Sequence, residues 1–144
     1  MPQVPPRAVM DTNVLYAGLR SPLGASFELL RRWRAGEWTL LVSNTVVTEY
    51  EEILQREAAS LDVSLSEIGD FLDALCRISE RHAVPPALPV EIADPDDAAF
   101  LHLAIAAGAD CLITHNTADY APAAVCGIPV VTPREFLAKL RALP

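Results

Sequence analysis

Short apolar runs alternate along the chain with longer segments in which apolar residues recur at helical spacing. The apolar runs predict strands over about 7–12, 38–42, 111–114 and 128–131, with 90–93 as a further short candidate. The helical spacing predicts helices over about 25–35, 44–58, 65–80, 95–107 and from 133 onward. Strands and helices that alternate in this way indicate an α/β fold, with a central parallel sheet of four to five strands and helices on both faces.

Residues that favour helix ends mark several of these boundaries. The segments 64–67 and 132–135 both have Ser or Thr three residues before Glu, which is the pattern of a capping box. Ser43 or Asn44 is placed to cap the helix that follows the second strand. Glycines suited to a left-handed helix end follow two of the predicted helices, at Gly36 and Gly108.

Length and composition fit one folded domain that spans residues 1–144. A hydrophobic fraction of 51% excludes a disordered chain. No apolar stretch reaches the roughly 18 residues that a membrane span needs, and residues 1–7 are too polar and proline-rich for a signal peptide. We therefore expect a soluble cytoplasmic protein with no membrane partner. The three cysteines, Cys76, Cys111 and Cys126, lack metal-ligand spacing and are typical of reduced thiols.

The net charge of −8 is unevenly distributed along the chain. Residues 1–48 carry five arginines against three acids, and residues 120–144 carry three basic residues against one acid. Residues 49–119 carry fifteen acids against three arginines. A nucleic-acid-binding protein is normally basic, so this balance argues mildly against that function unless divalent cations neutralise the acids or a basic partner covers them.

Four acids fall where strands of the predicted sheet end or where a following helix begins. Asp11 comes directly after the first strand, and Glu49 lies in the helix that follows the second strand. Asp97 is in the first turn of the helix that begins near residue 95, and Asp119 follows the strand at 111–114. Because ligands bind such sheets at the carboxyl ends of the strands, these acids suggest one shared site for a hard divalent cation.

Glu49 is one of several acids on its helix, and a solvated acidic face is the alternative explanation for it. It borders the apolar stripe of the helix, with Ile53 four residues later on the same face. Glu51 and Glu52 point further from that stripe. Glu49 is therefore the acid expected to face the edge of the sheet, with Glu52 as its substitute.

Asp94, Asp96 and Asp97 gather where capping and the helix dipole alone would favour acids. Asp94 fits the role of the cap before Pro95. Three acids in four positions exceed what capping needs, and Asp97 lies one turn before Leu101 on an inward-facing row. We expect Asp97 to be a ligand, and Asp96 either to lie at the surface or to support the ligands from behind.

The polar residues around Asp11 and Asp119 allow two interpretations. Asp11 and Asp119 are also ordinary turn residues that hydrogen-bond nearby backbone. Four polar neighbours are candidates to orient the acids or a bound water: Thr12, Asn13, Thr114 and Asn116. We interpret His115 as a loop histidine, because no second His or Cys stands at zinc-ligand spacing from it.

Missing motifs narrow the chemistry. No G-x-x-x-x-G-K-[ST] or G-x-G-x-x-G phosphate loop and no G-x-S-x-G elbow is present. A phosphoaspartate enzyme would need a second acid beside Asp11 and a lysine near the site, whereas the single lysine is Lys139 in the terminal helix. These classes of enzyme are excluded.

Four segments together make the chain resemble PIN-domain nucleases, in particular the toxins of bacterial toxin–antitoxin pairs: 10–15, 42–56, 94–104 and 108–120. The resemblance implies a single PIN-like, Rossmann-like domain. It also carries the family's acids onto Asp11, Glu49 and Asp97. The fourth ligand position falls either on Asp119, as in relatives that carry an acid shortly after an asparagine, or on Asn116, where many relatives have aspartate. Asn116 in that position would weaken a second metal site.

The resemblance implies metal-dependent cleavage of RNA with one or two Mg²⁺ or Mn²⁺ ions, a cognate antitoxin partner and a homodimer. Four arginines are candidates for contacts to RNA phosphates: Arg20, Arg31, Arg32 and Arg34. A solvated helix face with Arg–Glu pairs is the alternative explanation for them. Two other functions remain open: a catalytically weak PIN fold that binds RNA or a protein, and, ranked last, a structure-specific DNA nuclease.

Overall fold

The computed structural model describes residues 4–85, 95–124 and 126–143. Five parallel strands form one sheet: β1 (Arg7–Met10), β2 (Thr39–Val42), β3 (Glu80–Arg81), β4 (Cys111–Ile113) and β5 (Val130–Val131). Seven α-helices lie in these ranges: α1 (Thr12–Arg20), α2 (Ala25–Arg34), α3 (Asn44–Arg56), α4 (Ala58–Leu61), α5 (Leu65–Ile78), α6 (Pro95–Ala107) and α7 (Pro133–Ala142). A 3₁₀ segment spans Thr117–Ala124. This is the predicted α/β class, with five strands in the sheet.

The strand order β3-β2-β1-β4-β5 determines where a ligand can bind. From β1 the chain adds β2 and β3 on one side, and then returns to the other side of β1 for β4 and β5. The order therefore reverses between β1 and β4. In open parallel sheets a crevice forms at the carboxyl ends of the strands at such a reversal. The residues that follow β1 and β4 are Asp11 and Thr114.

Helices cover both faces of the central strands. Ala8, Val9 and Met10 are all buried, and successive side chains of a strand point to opposite faces of the sheet. Trp38 packs edge-to-face on Phe136 of α7, and its indole N–H donates to the carbonyl of Leu29 in α2 at 2.9 Å. Helices α5 and α6 both pack against α3. The sheet is thus the middle layer, as the sequence predicts.

Most helix ends match the predicted capping residues. Both predicted capping boxes form, from Ser64 with Glu67 and from Thr132 with Glu135. Ser43 caps α3 by accepting a hydrogen bond from the amide of Val46. Two glycines adopt positive φ angles after their helices, Gly36 at 80° and Gly108 at 63°. These local signals were sufficient to place the helix ends.

Four described elements were not predicted: α1, α4, β3 and the 3₁₀ segment. Helix α1 begins at Thr12, where the first strand was expected to end and no helix was predicted. Strand β3 is only two residues long and lies where the helix at 65–80 was expected to end. The candidate strand at 90–93 and the predicted cap at Asp94 lie outside the described residues. No helix in the described ranges is long and apolar enough to cross a membrane.

Arg7 fastens the amino-terminal end of β1 to two neighbouring elements. Its guanidinium forms an ion pair with Glu80 of β3 and donates to the carbonyls of Ala107 at 3.0 Å and Gly108 at 3.2 Å. A cation at the carboxyl end of α6 also complements the dipole of that helix. The backbone amide of Arg7 donates to Asp110 at 2.8 Å.

Candidate active site

Asp11 lies at the point where β1 passes into α1, in the crevice beside β4. Its backbone amide donates to the carbonyl of Ile113 at 2.9 Å, which extends the pairing of the two strands by one residue. Its side chain makes no capping bond to α1. Instead, one carboxylate oxygen accepts from the hydroxyls of Thr114 at 2.9 Å and Tyr120 at 3.0 Å. The acid is therefore held towards β4 and the 3₁₀ segment.

The surroundings of Asp11 make its charge costly. The residue is only 7% exposed, and this burial raises the pKa of its carboxyl group above the usual range. The hydrogen bonds from Thr114 and Tyr120 oppose the effect without reversing it. Within residues 4–85, 95–124 and 126–143, no ion pair involves Asp11. A buried carboxylate held only by neutral donors is a suitable ligand for a cation.

Asp97 reaches the same hydroxyl from the first turn of α6. Its Oδ1 lies 3.4 Å from the Tyr120 hydroxyl, which also lies 3.0 Å from Oδ2 of Asp11. The two carboxylates come from residues 86 positions apart in sequence and converge on one oxygen atom. The structure thus brings Asp11 and Asp97 together, while their predicted role as metal ligands stays a prediction.

The Tyr120 hydroxyl has one proton and therefore donates to one carboxylate at a time. Burial raises the pKa of Tyr120, and the negative charges of Asp11 and Asp97 raise it further. The hydroxyl consequently stays protonated and acts as a donor. It separates two like charges without neutralising either of them.

Tyr50 fixes α3 against the same end of β1. Its buried hydroxyl donates to the carbonyl of Met10 at 2.5 Å, directly before Asp11, and its ring packs on Phe100 of α6. Burial raises the pKa of Tyr50, and so does the charge of Asp11. Glu49 is the preceding residue and is half-buried, so α3 presents it on the turn that is anchored at the site.

The predicted supporting residues lie around Asp11. Thr114 is fully buried, and its hydroxyl also accepts from the amide of Asn116 at 3.1 Å. Asn13 accepts from the amide of His115 at 3.4 Å, so α1 is linked to the segment after β4. Thr12 is buried at the start of α1. Asn116 itself is exposed.

The remaining predicted residues lie at the surface. Asp119 is exposed in the 3₁₀ segment, where its amide donates to the carbonyl of Asn116 at 3.0 Å. Arg31 and Arg32 form ion pairs with Glu28, as expected for a solvated helix face with Arg–Glu pairs. The other two candidate arginines lie over aromatic rings: Arg20 over Tyr16 and Arg34 over Phe71.

Sequence reasoning missed the two tyrosines that organise this site. Tyr120 was noted only as part of a matching segment, and Tyr50 only as a member of the apolar stripe. One signal was available for both, because a buried tyrosine nearly always finds a hydrogen-bond partner for its hydroxyl. Each stands next to a predicted ligand in sequence, Tyr50 after Glu49 and Tyr120 after Asp119.

The donor set suits a hard divalent cation only in part. Carboxylate oxygens are the ligands that Mg²⁺ and Mn²⁺ prefer, and Asp11 and Asp97 supply them side by side. In the part of the chain that the structure describes, no three His, Cys, Asp or Glu residues form a group that could hold a metal ion. The ligand roles of Glu49 and Asp119 therefore stay predictions.

Comparison with known proteins agrees with this arrangement. The family model described as PIN domain matches residues 7–118. The chain belongs to the PIN-domain family. It is also similar to the crystal structure of PAE2754 from Pyrobaculum aerophilum, with 18% identity and a TM-score of 0.62 over 96% of this chain and 91% of that one. That likeness shows the fold alone, and no curated protein matches the chain.

Membership of the family indicates the general kind of chemistry to expect of the chain. PIN domains are generally nucleases, and PIN nucleases generally use divalent metals. Asp11, Glu49 and Asp97 all lie inside the matched range of 7–118. Asp119 and Tyr120 lie just beyond it.

Proposed function

We propose that this PIN-domain protein is a metal-dependent endoribonuclease and the toxin of a toxin–antitoxin pair. The observation that carries the proposal is the convergence of Asp11 and Asp97 on the Tyr120 hydroxyl. It lies at the reversal of strand order, where sheets of this kind bind their ligands. No ion pair among the described residues neutralises the buried charge of Asp11.

Asp11 and Asp97 would hold Mg²⁺ or Mn²⁺, with Glu49 as the expected third ligand. When bound, such an ion lowers the pKa of a coordinated water and stabilises charge on a phosphate oxygen. Thr114 and Tyr120 keep Asp11 oriented through their hydroxyl protons. Tyr50 keeps α3, and with it Glu49, against the end of β1. The protein thus contributes positioned carboxylates and a crevice for the RNA chain.

Substitution of the acids tests the catalytic proposal. We expect Asp11→Asn and Asp97→Asn each to lower Mn²⁺-dependent cleavage of a single-stranded RNA by at least about 1,000-fold, because each removes a ligand. Asp73→Asn is the matched control, since Asp73 is an exposed acid on α5. Circular dichroism and a thermal melt check that each variant is folded. Equal activity in all three variants would exclude this site as the catalytic centre.

The metal-free stability of Asp97→Asn gives an independent readout. Two carboxylates near one hydroxyl repel each other, so removal of one charge should relieve that repulsion. We expect the melting temperature in EDTA to stay the same or rise. A clear drop would argue against an acid cluster at this place.

The toxin role rests on the resemblance to toxin nucleases and has its own test. We expect the neighbouring reading frame to encode a small basic or DNA-binding protein that co-purifies with this chain and inhibits its cleavage of RNA. We also expect a homodimer, measured by light scattering. Expression should arrest bacterial growth, and Asp11→Asn should relieve the arrest. Growth arrest that is unaffected by Asp11→Asn would contradict the toxin mechanism.

A catalytically weak PIN fold that binds RNA or a protein is the second candidate function. It is favoured by the absence of a third acid in a metal-binding group within the described ranges, and by the net charge of −8. Such a module would show no Mn²⁺-dependent cleavage of RNA. Its RNA or protein binding, measured by fluorescence anisotropy, would be unchanged by Asp11→Asn.

A further inference from the structure

An open cavity near the carboxyl ends of β4 and β5 has no assigned role. Its volume is about 490 Å³, and it lies between the end of α1, the start of α2, the start of α7 and His115. Cavities of about 300–1,000 Å³ are typical of sites for small groups and cofactors. This one is large enough for part of a nucleotide chain.

The cavity opens on the same edge of the sheet as the candidate active site. His115 follows Thr114, whose hydroxyl bonds Asp11, and the His115 amide donates to Asn13 of α1. Thr132 follows β5 and also lines the cavity. The amide of Thr114 bonds the carbonyl of Val131, so the ends of β4 and β5 are joined there. A chain bound at Asp11 could therefore continue into the cavity.

The charge of the cavity is opposite to that of the protein as a whole. The described residues that line it include Arg134 and His115, and none of them is acidic. Apart from His115, all of the lining comes from the stretches 1–48 and 120–144, the two in which basic residues exceed acids. In a protein of net charge −8, these two stretches meet at this cavity. Its lining therefore favours an anion.

A buried hydroxyl fixes the direction of the imidazole. Ser26 is only 6% exposed, and its Oγ lies 3.2 Å from Nε2 of His115. This contact uses the distal ring nitrogen, so Nδ1 is the nitrogen that remains for a ligand in the cavity. Helix α2 has no side-chain cap here, because its N-cap residue is Gly24. The first backbone amides of α2 add hydrogen-bond donors to a cavity that already contains the side chains of Arg134 and His115.

We propose that this cavity binds an RNA phosphodiester group adjacent to the one cleaved at Asp11 and Asp97. Arg134 and His115 contact the phosphate oxygens, and Ser26 is a positioning residue for His115. Phosphate contacts of this kind fix the register of a nucleic acid without reading its sequence. The inference rests on the proposed function, because it assigns a place to a neighbouring part of the same substrate.

The first test compares two arginines of α7. Arg134→Gln removes the charge at the cavity, while Arg141→Gln removes the same charge from the last turn, seven positions further along the helix. We expect Arg134→Gln to raise the Kd for a short single-stranded RNA about five- to tenfold. It should also reduce the slope of log Kd against log salt by about 0.7, as for loss of one phosphate contact. Arg141→Gln should change neither quantity.

The second test uses the RNA instead of the protein. A series of oligonucleotides, each with one neutral methylphosphonate linkage, is measured against the wild type, Arg134→Gln, His115→Gln and Ser26→Ala. At one linkage next to the cleavage site, the loss of binding affinity caused by the neutral linkage and the loss caused by each variant should not be additive. A residue that merely supports the fold would lower binding equally for every oligonucleotide. Cleavage kinetics should show a raised KM with little change in kcat.

The outcomes separate this inference from the proposed function. If cleavage depends on Asp11 and Asp97 while Arg134→Gln behaves like Arg141→Gln, the cavity site is overturned and the nuclease stands. If cleavage is absent but binding in EDTA depends on Arg134 at one linkage, the phosphate site is supported and the nuclease fails. Binding of inorganic phosphate that depends on Arg134, without any such dependence for RNA, would overturn the RNA site.

Discussion

The two ends of β1 each carry a charged residue, and the protein treats them in opposite ways. Arg7, at the amino end, pairs with Glu80 and with two helix carbonyls. Asp11, directly after the carboxyl end, accepts hydrogen bonds from the neutral hydroxyls of Thr114 and Tyr120. Arg7 and Asp11 are four positions apart in sequence. The charge of Arg7 is neutralised by an ion pair, whereas no ion pair among the described residues neutralises the charge of Asp11.

The pKa values of the two ends move in opposite directions. Hydrogen bonds from Arg7 and then from His82 lower the pKa of Glu80 to about 2. Burial raises the pKa of Asp11, and no ion pair with a described residue offsets this effect. A charge that serves the fold is stabilised by a partner, whereas a charge that serves binding is kept available for a ligand. Of the two charged ends of β1, the one held by neutral donors is therefore the end expected to bind a ligand.

Among substitutions that leave the proposed metal ligands in place, the largest effect is expected at the carboxyl end. Tyr120→Phe removes the hydroxyl shared by Asp11 and Asp97, so both carboxylates lose an orienting donor. Groups that orient metal ligands typically contribute about 10–100-fold to activity. We expect a fall of that size in Mn²⁺-dependent RNA cleavage, with a change in unfolding free energy of only about 1 kcal/mol. Unchanged cleavage would show that the hydroxyl does not organise the site.

At the amino end the effect should fall on stability and leave activity intact. Arg7→Gln removes the Glu80 ion pair and two hydrogen bonds from a side chain that is 27% exposed. We expect a loss of about 1–2 kcal/mol, or a melting temperature lower by about 3–6 °C. The cleavage rate of the folded variant should equal that of the wild type.

Asp11→Asn is the matched counterpart of Arg7→Gln. In EDTA it should leave the melting temperature unchanged or raise it, because the asparagine oxygen still accepts from Thr114 while the costly buried charge is gone. If Asp11→Asn instead destabilises the protein as much as Arg7→Gln does, the contrast between the two ends of β1 is wrong.

The smallest effect depends on pH. The folded-state pKa of Glu80 is about 2 against an ordinary value of 4.5, so its contribution to stability is present above pH 4.5 and is lost as the pH falls towards 2. The Glu80 side chain is 41% exposed, so solvent screening keeps the contribution of the pair below about 1 kcal/mol. Urea unfolding of Glu80→Gln should differ from that of the wild type at pH 7, and the difference should shrink below pH 4.5 and vanish as the pH falls to about 2. A constant difference across this range would point to packing as its source.

Local signals in the sequence were sufficient where one turn of chain decides the structure. The capping boxes at 64–67 and 132–135 formed because their partners are three residues apart. Helix α1 was missed because Asp11, Thr12 and Asn13 were interpreted as the polar end of the first strand, and the side chain of Asp11 makes no capping bond to mark the start of a helix. Strand β3 was missed because Glu80 and Arg81 carry no apolar alternation, and only pairing with β2 makes them a strand.

The residues of the candidate site also fall into two groups, those that a local sequence signal indicates and those that only long-range contacts define. Asp11 and Asp97 were predictable because each stands at a recognisable strand or helix end. Tyr120 was not, because its role depends on contacts to residues 109 and 23 positions away. The cavity at Arg134 depends likewise on three distant segments.

By itself, the order of residues determined which side chains end the strands and cap the helices, because those preferences act within a few bonds. It also determined that acids predominate in residues 49–119 and that basic residues exceed acids on either side of that stretch. Only the folded sheet decided that β4 returns to lie beside β1, which brings one tyrosine hydroxyl between two carboxylates. Such long-range pairing follows from burial of the whole core, and no local pattern records it.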